Sequence, residues 1–260
     1  MTRAMMALMR LEYRKMLGQW KVLGLAALLL LPLIPIGIVH SESKGEEPLL
    51  NVAIAFFLFY ANGVCILSAL LYGSSTISAE LENKTLTYLF TRPIPKWLVL
   101  LGKYAGFCVC LSVLMLGSLS LTFLAVGKPH GWIWLSSYMK TSVLAIFAYG
   151  AVFTLLGLIV PRRAIIAGLV IGMGEFITAL IPSVAKAFTV TYYLRALNFA
   201  DLRGLFNPFS LMQLGPDFAK GMNAVSPLRA YATLAAIAAI ALALACFLLH
   251  RREYSVTEKA

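Results

Sequence analysis

Six stretches of the chain are apolar over about the 20 residues that a helix needs to cross a bilayer. None shows the alternation of apolar and polar positions that is typical of a β-barrel strand. We therefore predict an all-α membrane protein of one domain, 1–260, with six transmembrane helices. The predicted spans are 22–39, 50–71, 98–126, 139–160, 164–181 and 230–249. The third is the longest, so its helix must tilt or begin with an interfacial turn around Lys103.

The segment before the first span, 1–21, has a helical period in its charges. The basic side of the predicted helix consists of Arg3, Arg10, Arg14 and Lys21, and a separate apolar side of Met5, Met9, Tyr13, Met16, Leu17 and Trp20. This pattern predicts an amphipathic helix in the inner headgroup layer, with Arg10 and Arg14 as anchors to lipid phosphates. A solvated basic helix is the alternative.

The segment between the second and third spans also carries an apolar stripe at helical spacing. The stripe lies within 76–92 and consists of Leu81, Thr85, Leu86, Leu89 and Phe90. Glu80 and Lys84 stand four apart with the acid first, which favours a helix. Pro93 ends the helix, because it moves the residue before it out of the α region. We predict a short helix across the inner face, whose stripe must bury against lipid, the rest of the chain or another protein.

The long segment before the last span, 182–229, is rich in aromatic residues. They are Phe188, Tyr192, Tyr193, Phe199, Phe206, Phe209 and Phe218. Aromatic side chains of this kind favour the membrane–water boundary. Breaks at Pro208 and Gly215-Pro216 predict several short helices. We expect a helical outer lid at the membrane surface, with a substrate-binding role as a further hypothesis.

The composition supports the membrane prediction. Hydrophobic residues make up 60% and charged residues 13% of the chain, and the mean hydropathy is +0.84. Disordered chains are poor in apolar residues, so disorder is excluded. The first span is expected to be an uncleaved anchor, because its apolar run is longer than that of a signal peptide and no small-x-small cleavage site follows.

The net charge of +11 indicates either a nucleic-acid partner or the basic bias of inner membrane loops. With the N-terminus inside, the four inner segments, 1–21, 72–97, 161–163 and 250–260, hold 13 of the 22 Lys and Arg residues. The charge therefore indicates topology and a lipid surface, and we expect both termini in the cytoplasm and no nucleic-acid partner.

The sequence offers little for catalysis or for metal binding. All four cysteines lie within predicted spans, which predicts neither disulfides nor a metal site. The three histidines lie at or outside span ends, and H-E-x-x-H is absent. Ser74 follows Gly73 but lacks the flanking pattern of a nucleophile elbow. We therefore expect that this chain is not an enzyme.

Glu175 is the one acid well inside a predicted span. A charge at that depth is costly, so its side chain should face a partner group, a cavity or another chain. It is a candidate residue of a transport pathway, or else a structural glutamate that is protonated or locally paired. Gly168 and Gly172 nearby form a small-xxx-small pair that permits close helix contact.

One run of residues resembles a known family. Glu80, Thr85-Leu86, the segment 89–96 (Leu-Phe-Thr-Arg-Pro-Ile-Pro-Lys) and Leu101-Gly102-Lys103 look like the signature of type-2 ABC (ATP-binding cassette) transporter permease subunits. The resemblance covers about 25 residues in motif and the whole chain in its predicted architecture. Members of that family have six spans, an N-terminal interfacial helix and a long outer segment before the last span.

The resemblance implies that the helix over 76–92 is the coupling helix, which docks on a separate ATPase subunit. The residues it assigns to coupling are Glu80, Glu82, Lys84, Thr85 and Arg92, and the inner-boundary anchors are Arg10, Arg14, Lys96 and Lys103. This sequence lacks the G-x-x-x-x-G-K-[ST] phosphate loop. ATP and magnesium would therefore be bound by the partner ATPase, not by this chain.

The resemblance further implies two ATPase subunits paired with two permease chains, as a homodimer or a related heterodimer, in a bacterial inner membrane. The predicted function is the permease of an ATP-driven exporter or envelope-assembly transporter. An ATP-independent secondary transporter or channel is the alternative. The sequence does not select a substrate.

Overall fold

The structure, a computed structural model, describes residues 21–42, 52, 55–82, 95–126, 132–180, 187, 189–202 and 225–251. The predicted interfacial helix, with Arg10 and Arg14, lies outside the described residues except for Lys21. So do Lys84, Thr85 and Arg92 of the predicted coupling helix, and most of the aromatic outer segment.

The described residues are almost entirely helical, and no strand occurs among them, which confirms the all-α prediction. The helices are α1 (Lys21–Leu30), α2 (Leu33–Glu42), α3 (Cys65–Glu82), α4 (Lys96–Ala125), α5 (Trp132–Ile159), α6 (Ala164–Leu180), α7 (Val190–Leu202) and α8 (Pro227–Arg251). A π-helical segment, Phe57–Val64, leads into α3, and a short 3₁₀ turn, Pro161–Arg163, leads into α6.

Among the described residues, four helical segments are long and apolar enough to cross a membrane. They are Phe57–Ser75, Lys96–Ala125, Trp132–Ile159 and Pro227–Arg251, and they fall at the second, third, fourth and sixth predicted spans. At the first and fifth predicted spans the apolar helical stretches are shorter, Gly24–Ile38, which is interrupted at Leu31 and Pro32, and Ala164–Glu175. These helices present many large apolar side chains outward, such as Val170 and Ile240, which are 65% and 61% exposed. The fold is therefore compatible with a multi-pass membrane protein.

The first predicted span is not one continuous helix, which corrects the prediction over 22–39. The chain turns at Leu31 and Pro32, between α1 and α2. Pro32 has no N–H, and its ring clashes with the preceding helical turn. Beside this break, the carbonyl of Leu29 accepts a hydrogen bond from Oγ of Ser118 on α4, at 2.5 Å.

The predicted start of a separate helix at residue 76 is also wrong. α3 runs without interruption from Cys65 to Glu82, about two turns past the candidate span that ends at Ser75. The reason is local: no proline or glycine occurs between Ser74 and Glu82, so the helix simply propagates.

Helix α5 is the centre of the bundle, because it contacts α3, α4, α6, α7 and α8. We call the end of the bundle where α4 ends and α5 begins the distal end, and the opposite end the proximal end. An aromatic cluster fills the core at the distal end. Trp134 packs edge-on against Phe56 and Tyr138, with distances of 4.6 and 4.9 Å between the ring centroids. A small aliphatic cluster closes the proximal end, formed by Leu100, Leu158, Ala245 and Leu249.

Glycines allow the close approach of α3 to α5. A Cβ atom on Gly157 would collide with the carbonyl oxygen of Ser74. One on Gly73 would lie 3.3 Å from the carbonyl oxygen of Gly150. Ser74, which follows Gly73, is fully buried, and its Oγ donates to the carbonyl of Leu70 at 2.5 Å. Ser74 therefore belongs to this helix contact.

Candidate functional site: a carboxylate at the buried end of a helix

Helix α7 is packed into the bundle, although the sequence places it in the outer segment between the last two predicted spans. It contacts α5, α6, α8 and the π-helical segment. Its buried residues are Val190, Thr191, Leu194, Ala196, Leu197, Asn198, Phe199 and Leu202. This confirms a helix within the predicted helical segment, and its position as a lid at the membrane surface stays a prediction. The helix packs here because the bundle covers its largely apolar face.

The direction of α7 follows from its contacts along α5. Its first turn reaches Tyr149, which lies past the midpoint of α5, whereas Asn198 near its end accepts a hydrogen bond from Oγ of Ser137 at 3.4 Å. α7 therefore runs from the middle of the bundle to the distal end, and its N-terminus is the deep end.

Glu175 of α6 meets that deep end. The N–H of Val190 donates to Oε1 of Glu175, and the N–H of Thr191 to Oε2, each at 3.1 Å. The hydroxyl of Tyr149 donates to Oε2 at 3.0 Å and also lies 2.8 Å from Oγ1 of Thr191. Three donors from two other helices thus converge on one carboxylate.

The glycines of α6 explain why Glu175 points inward. Gly168, Gly172 and Glu175 are spaced by four and three residues, so they share one face of the helix. A Cβ atom on Gly168 would collide with the side chain of Leu70, and one on Gly172 would lie 2.9 Å from Cγ2 of Ile66. The two glycines therefore allow α6 to pack closely against α3 of the same chain. Glu175 lies on the same face of α6, so its side chain points into the bundle.

The electrostatics of the contact are favourable. The first N–H groups of a helix have no partner within that helix, and its N-terminus carries a partial positive charge. A carboxylate placed there supplies both hydrogen-bond acceptors and the opposite charge. The contacts thus meet the expectation that Glu175 should face partner groups, and they match the locally paired glutamate more directly than the pathway residue. A pathway role for Glu175 stays a prediction.

Besides the Ser137–Asn198 hydrogen bond, an ion pair holds the distal end of α7. Nζ of Lys140 on α5 lies 2.6 Å from Oδ2 of Asp201, but the two side chains are 52% and 36% exposed. An ion pair that exposed contributes about 0–1 kcal/mol. The hydrogen bonds of Glu175, which involve a charged group, are each worth about 1.5–3 kcal/mol. The deep contact therefore outweighs the ion pair.

A half-buried cation, Arg195, also lies on α7. Burial lowers the pKa of Arg195 to about 10, so its guanidinium remains protonated at neutral pH. The guanidinium carbon lies 6.0 Å from the centroid of the Phe199 ring, which is within the range of a cation–π contact.

The other predicted site residues are spread along the chain. The backbones of Glu80 and Glu82 lie in the last turn of α3. Lys96 is the first residue of α4 and is half-buried. Lys103, predicted as an anchor at the inner boundary, is only 2% exposed. Its side chain is therefore enclosed by protein rather than presented to lipid headgroups.

Several residues of the site were not identified from the sequence. Tyr149, Val190 and Thr191 contact Glu175, and no local pattern indicates which residues a lone acid will meet. One signal was present: Thr189 directly before an apolar helix is a typical N-cap, so the start of α7 could have been predicted.

Within the described parts of the chain, no three His, Cys, Asp or Glu side chains are grouped closely enough to hold a metal ion. Cys65, Cys108 and Cys110 are buried and Cys246 is half-buried, all as free thiols.

Comparison of the sequence with protein-family models and with curated proteins finds no match.

Proposed function

We propose that this chain is the membrane-spanning permease subunit of an ABC transporter, working as an exporter or envelope-assembly transporter in a bacterial inner membrane. The observation that carries the proposal is the residue pattern from Glu80 to Lys103 between the second and third predicted spans. The proposal includes six spans with both termini in the cytoplasm, so that the distal end faces outward and the proximal end inward.

The fold supports the proposal in its general architecture. The described part of the chain has four helices of spanning length, and two shorter apolar helical stretches occur where the remaining spans are proposed. α3 extends past its candidate span to Glu82, and α4 begins directly after Pro95. The segment proposed to dock on the ATPase is thus joined to a regular helix on each side.

The proposed mechanism starts when ATP closes two partner ATPase subunits. Their movement displaces the segment 76–92, and Pro93 and Pro95 restrict the backbone of the joint that leads into α4. α4 contacts α1, α2, α3, α5 and α8, so a displacement of α4 would also move these five helices. In a complex of two permease chains, this movement shifts access from the inner to the outer side.

Co-purification tests the proposal. The tagged chain is extracted from its native membrane in mild detergent, and we expect an ATPase subunit with a phosphate-binding loop to copurify. Charge reversals Glu80→Lys and Glu82→Lys should reduce the recovered ATPase while leaving membrane insertion intact. Glu46→Lys, in the short segment predicted to lie outside, is the matched control. Full recovery of the ATPase with both coupling variants would contradict the assignment of these residues.

The second candidate function is an ATP-independent secondary transporter or channel. The observation that favours it is the half-length helix α7, whose N-terminus meets an acid in the middle of the bundle. Secondary transporters often place their binding sites at such discontinuous helices. Transport by proteoliposomes that contain this chain alone, without nucleotide, would support this candidate and refute the first.

A further inference from the structure

We infer that Glu175, a residue of α6, is a positioning residue that caps the N-terminus of α7. Through this cap it holds α7 inside the distal half of the bundle. This inference does not depend on the energy source of transport, because it concerns only how α7 is held. It assigns to Glu175 an action through α7 rather than through contact with cargo.

The burial of the deep end of α7 makes such a cap necessary. Thr189, Val190 and Thr191 are 8%, 4% and 1% exposed, so the first N–H groups of α7 are remote from bulk water. In an apolar interior a polar backbone group without a partner is costly. Glu175 removes that cost for the first two N–H groups of the helix at once.

The geometry around Glu175 makes it specific for this task. Its two carboxylate oxygens accept from two successive N–H groups, and Tyr149 donates to one of them from the opposite helix. Gly168 and Gly172 set the distance between α6 and α3, from which Glu175 reaches across. An amide at this position has a single acceptor oxygen, and its NH₂ group would face a donor.

The ion pair between Lys140 and Asp201 cannot replace the hydrogen bonds of Glu175. Lys140 and Asp201 are both substantially exposed, and an exposed pair contributes little. Without Glu175, the deep end of α7 would therefore separate from α5 and α6, and residues on its buried face would become accessible.

Thiol labelling of the full chain in native membranes tests the inference. All four native cysteines are replaced by alanine, and one cysteine is introduced at Ala196, which is 4% exposed on the buried face of α7. A small membrane-permeant maleimide is the probe, so the result does not depend on which side the distal end faces. Cysteines at Ala200, on the exposed face of α7, and at the fully buried Ala245 of the proximal end are the controls.

We expect Glu175→Ala to increase the labelling rate at position 196 by at least about tenfold, as expected when one or more hydrogen bonds to a charged group are lost. The rates at positions 200 and 245 should stay unchanged. Tyr149→Phe should produce a smaller increase at position 196, and it provides a second variant should Glu175→Ala fail to accumulate.

Rescue from a second site separates capping from any other role. Thr189→Asp, combined with Glu175→Ala, returns a carboxylate to the same helix end, where Asp is a strong N-cap. We expect it to restore protection of position 196. An unchanged rate at position 196, an equal increase at position 245, or a failure of Thr189→Asp to restore protection would each overturn the inference.

Discussion

Ser118 shows how one hydroxyl can satisfy a backbone carbonyl beside a break in an apolar helix. Its Oγ donates to the carbonyl of Leu29, just before the turn at Pro32, and lies 3.1 Å from the hydroxyl of Tyr60. The Tyr60 hydroxyl also contacts Oγ1 of Thr122 at 2.5 Å. This network joins α1, the π-helical segment and α4, in an environment where an unsatisfied carbonyl would find no water.

Removing this hydroxyl should therefore be costly. We expect Ser118→Ala to reduce the free energy of unfolding by about 1–2 kcal/mol, because it leaves the Leu29 carbonyl without its donor. Equilibrium unfolding of the purified chain in mixed micelles with increasing SDS measures the effect. Ser120→Ala is the control on the same helix, since among the described residues Oγ of Ser120 bonds within α4, to the Leu116 carbonyl at 2.7 Å. Equal destabilisation by both variants would show that the link to α1 contributes nothing.

The two acids that hold α7 should differ sharply in their contribution. We expect Glu175→Gln to reduce the free energy of unfolding by about 1.5–3 kcal/mol, because one backbone N–H then faces an amide NH₂ group. Asp201→Asn should cost no more than about 1 kcal/mol, because its partner is exposed. The same SDS unfolding measurement compares them. A larger loss with Asp201→Asn would reverse the assignment of the dominant contact.

Helices α3 and α5 illustrate how packing depends on single glycines within an element. The space at Gly157 is occupied by the backbone of Ser74, which cannot rotate away as a side chain could. Gly117 on α4, by contrast, has nothing within 4 Å of where its Cβ would be. The two glycines look equivalent along the sequence, and only the neighbouring helix distinguishes them.

Alanine substitution should separate these two glycines. We expect Gly157→Ala to destabilise the fold by about 1–3 kcal/mol, because α3 and α5 must move apart. Gly117→Ala should be neutral or stabilising by up to about 1 kcal/mol, since alanine favours the helix. Thermal unfolding of the two variants in detergent gives the comparison. A neutral Gly157→Ala would mean that α3 and α5 are not so closely packed.

The topology of the bundle can be tested as a unit. With six spans, reporter domains fused after residues 45, 128 and 210 should lie outside, and those after 84, 162 and 260 inside. The physical reason is the excess of Lys and Arg in the predicted inner segments. With only the four longest helices crossing, residues 162 and 210 would lie on the same side. Enzymatic reporters that are active on one side of the membrane distinguish the two arrangements.

Much of the fold was predictable from local sequence, because the apolar length of a helix and its charged flanks are properties of neighbouring residues. The positions of α4, α6 and α8 were predicted to within a few residues. α5 begins seven residues before the predicted span, because Trp132 to Tyr138 form an aromatic, helical start that the hydropathy pattern does not separate from a loop. The turn at Pro32 was missed as well, since prolines are often accommodated within membrane helices.

The local sequence also marked Glu175 as unusual and Gly168 and Gly172 as a contact face. It could not say what they meet. Which donors converge on that carboxylate, and whether the glycines face this chain or another, depend on segments far apart in sequence. Such contacts form only when α3, α5, α6 and α7 pack together. Burial then excludes water as a hydrogen-bond partner, so each buried polar group must bond to the protein groups that the fold places beside it.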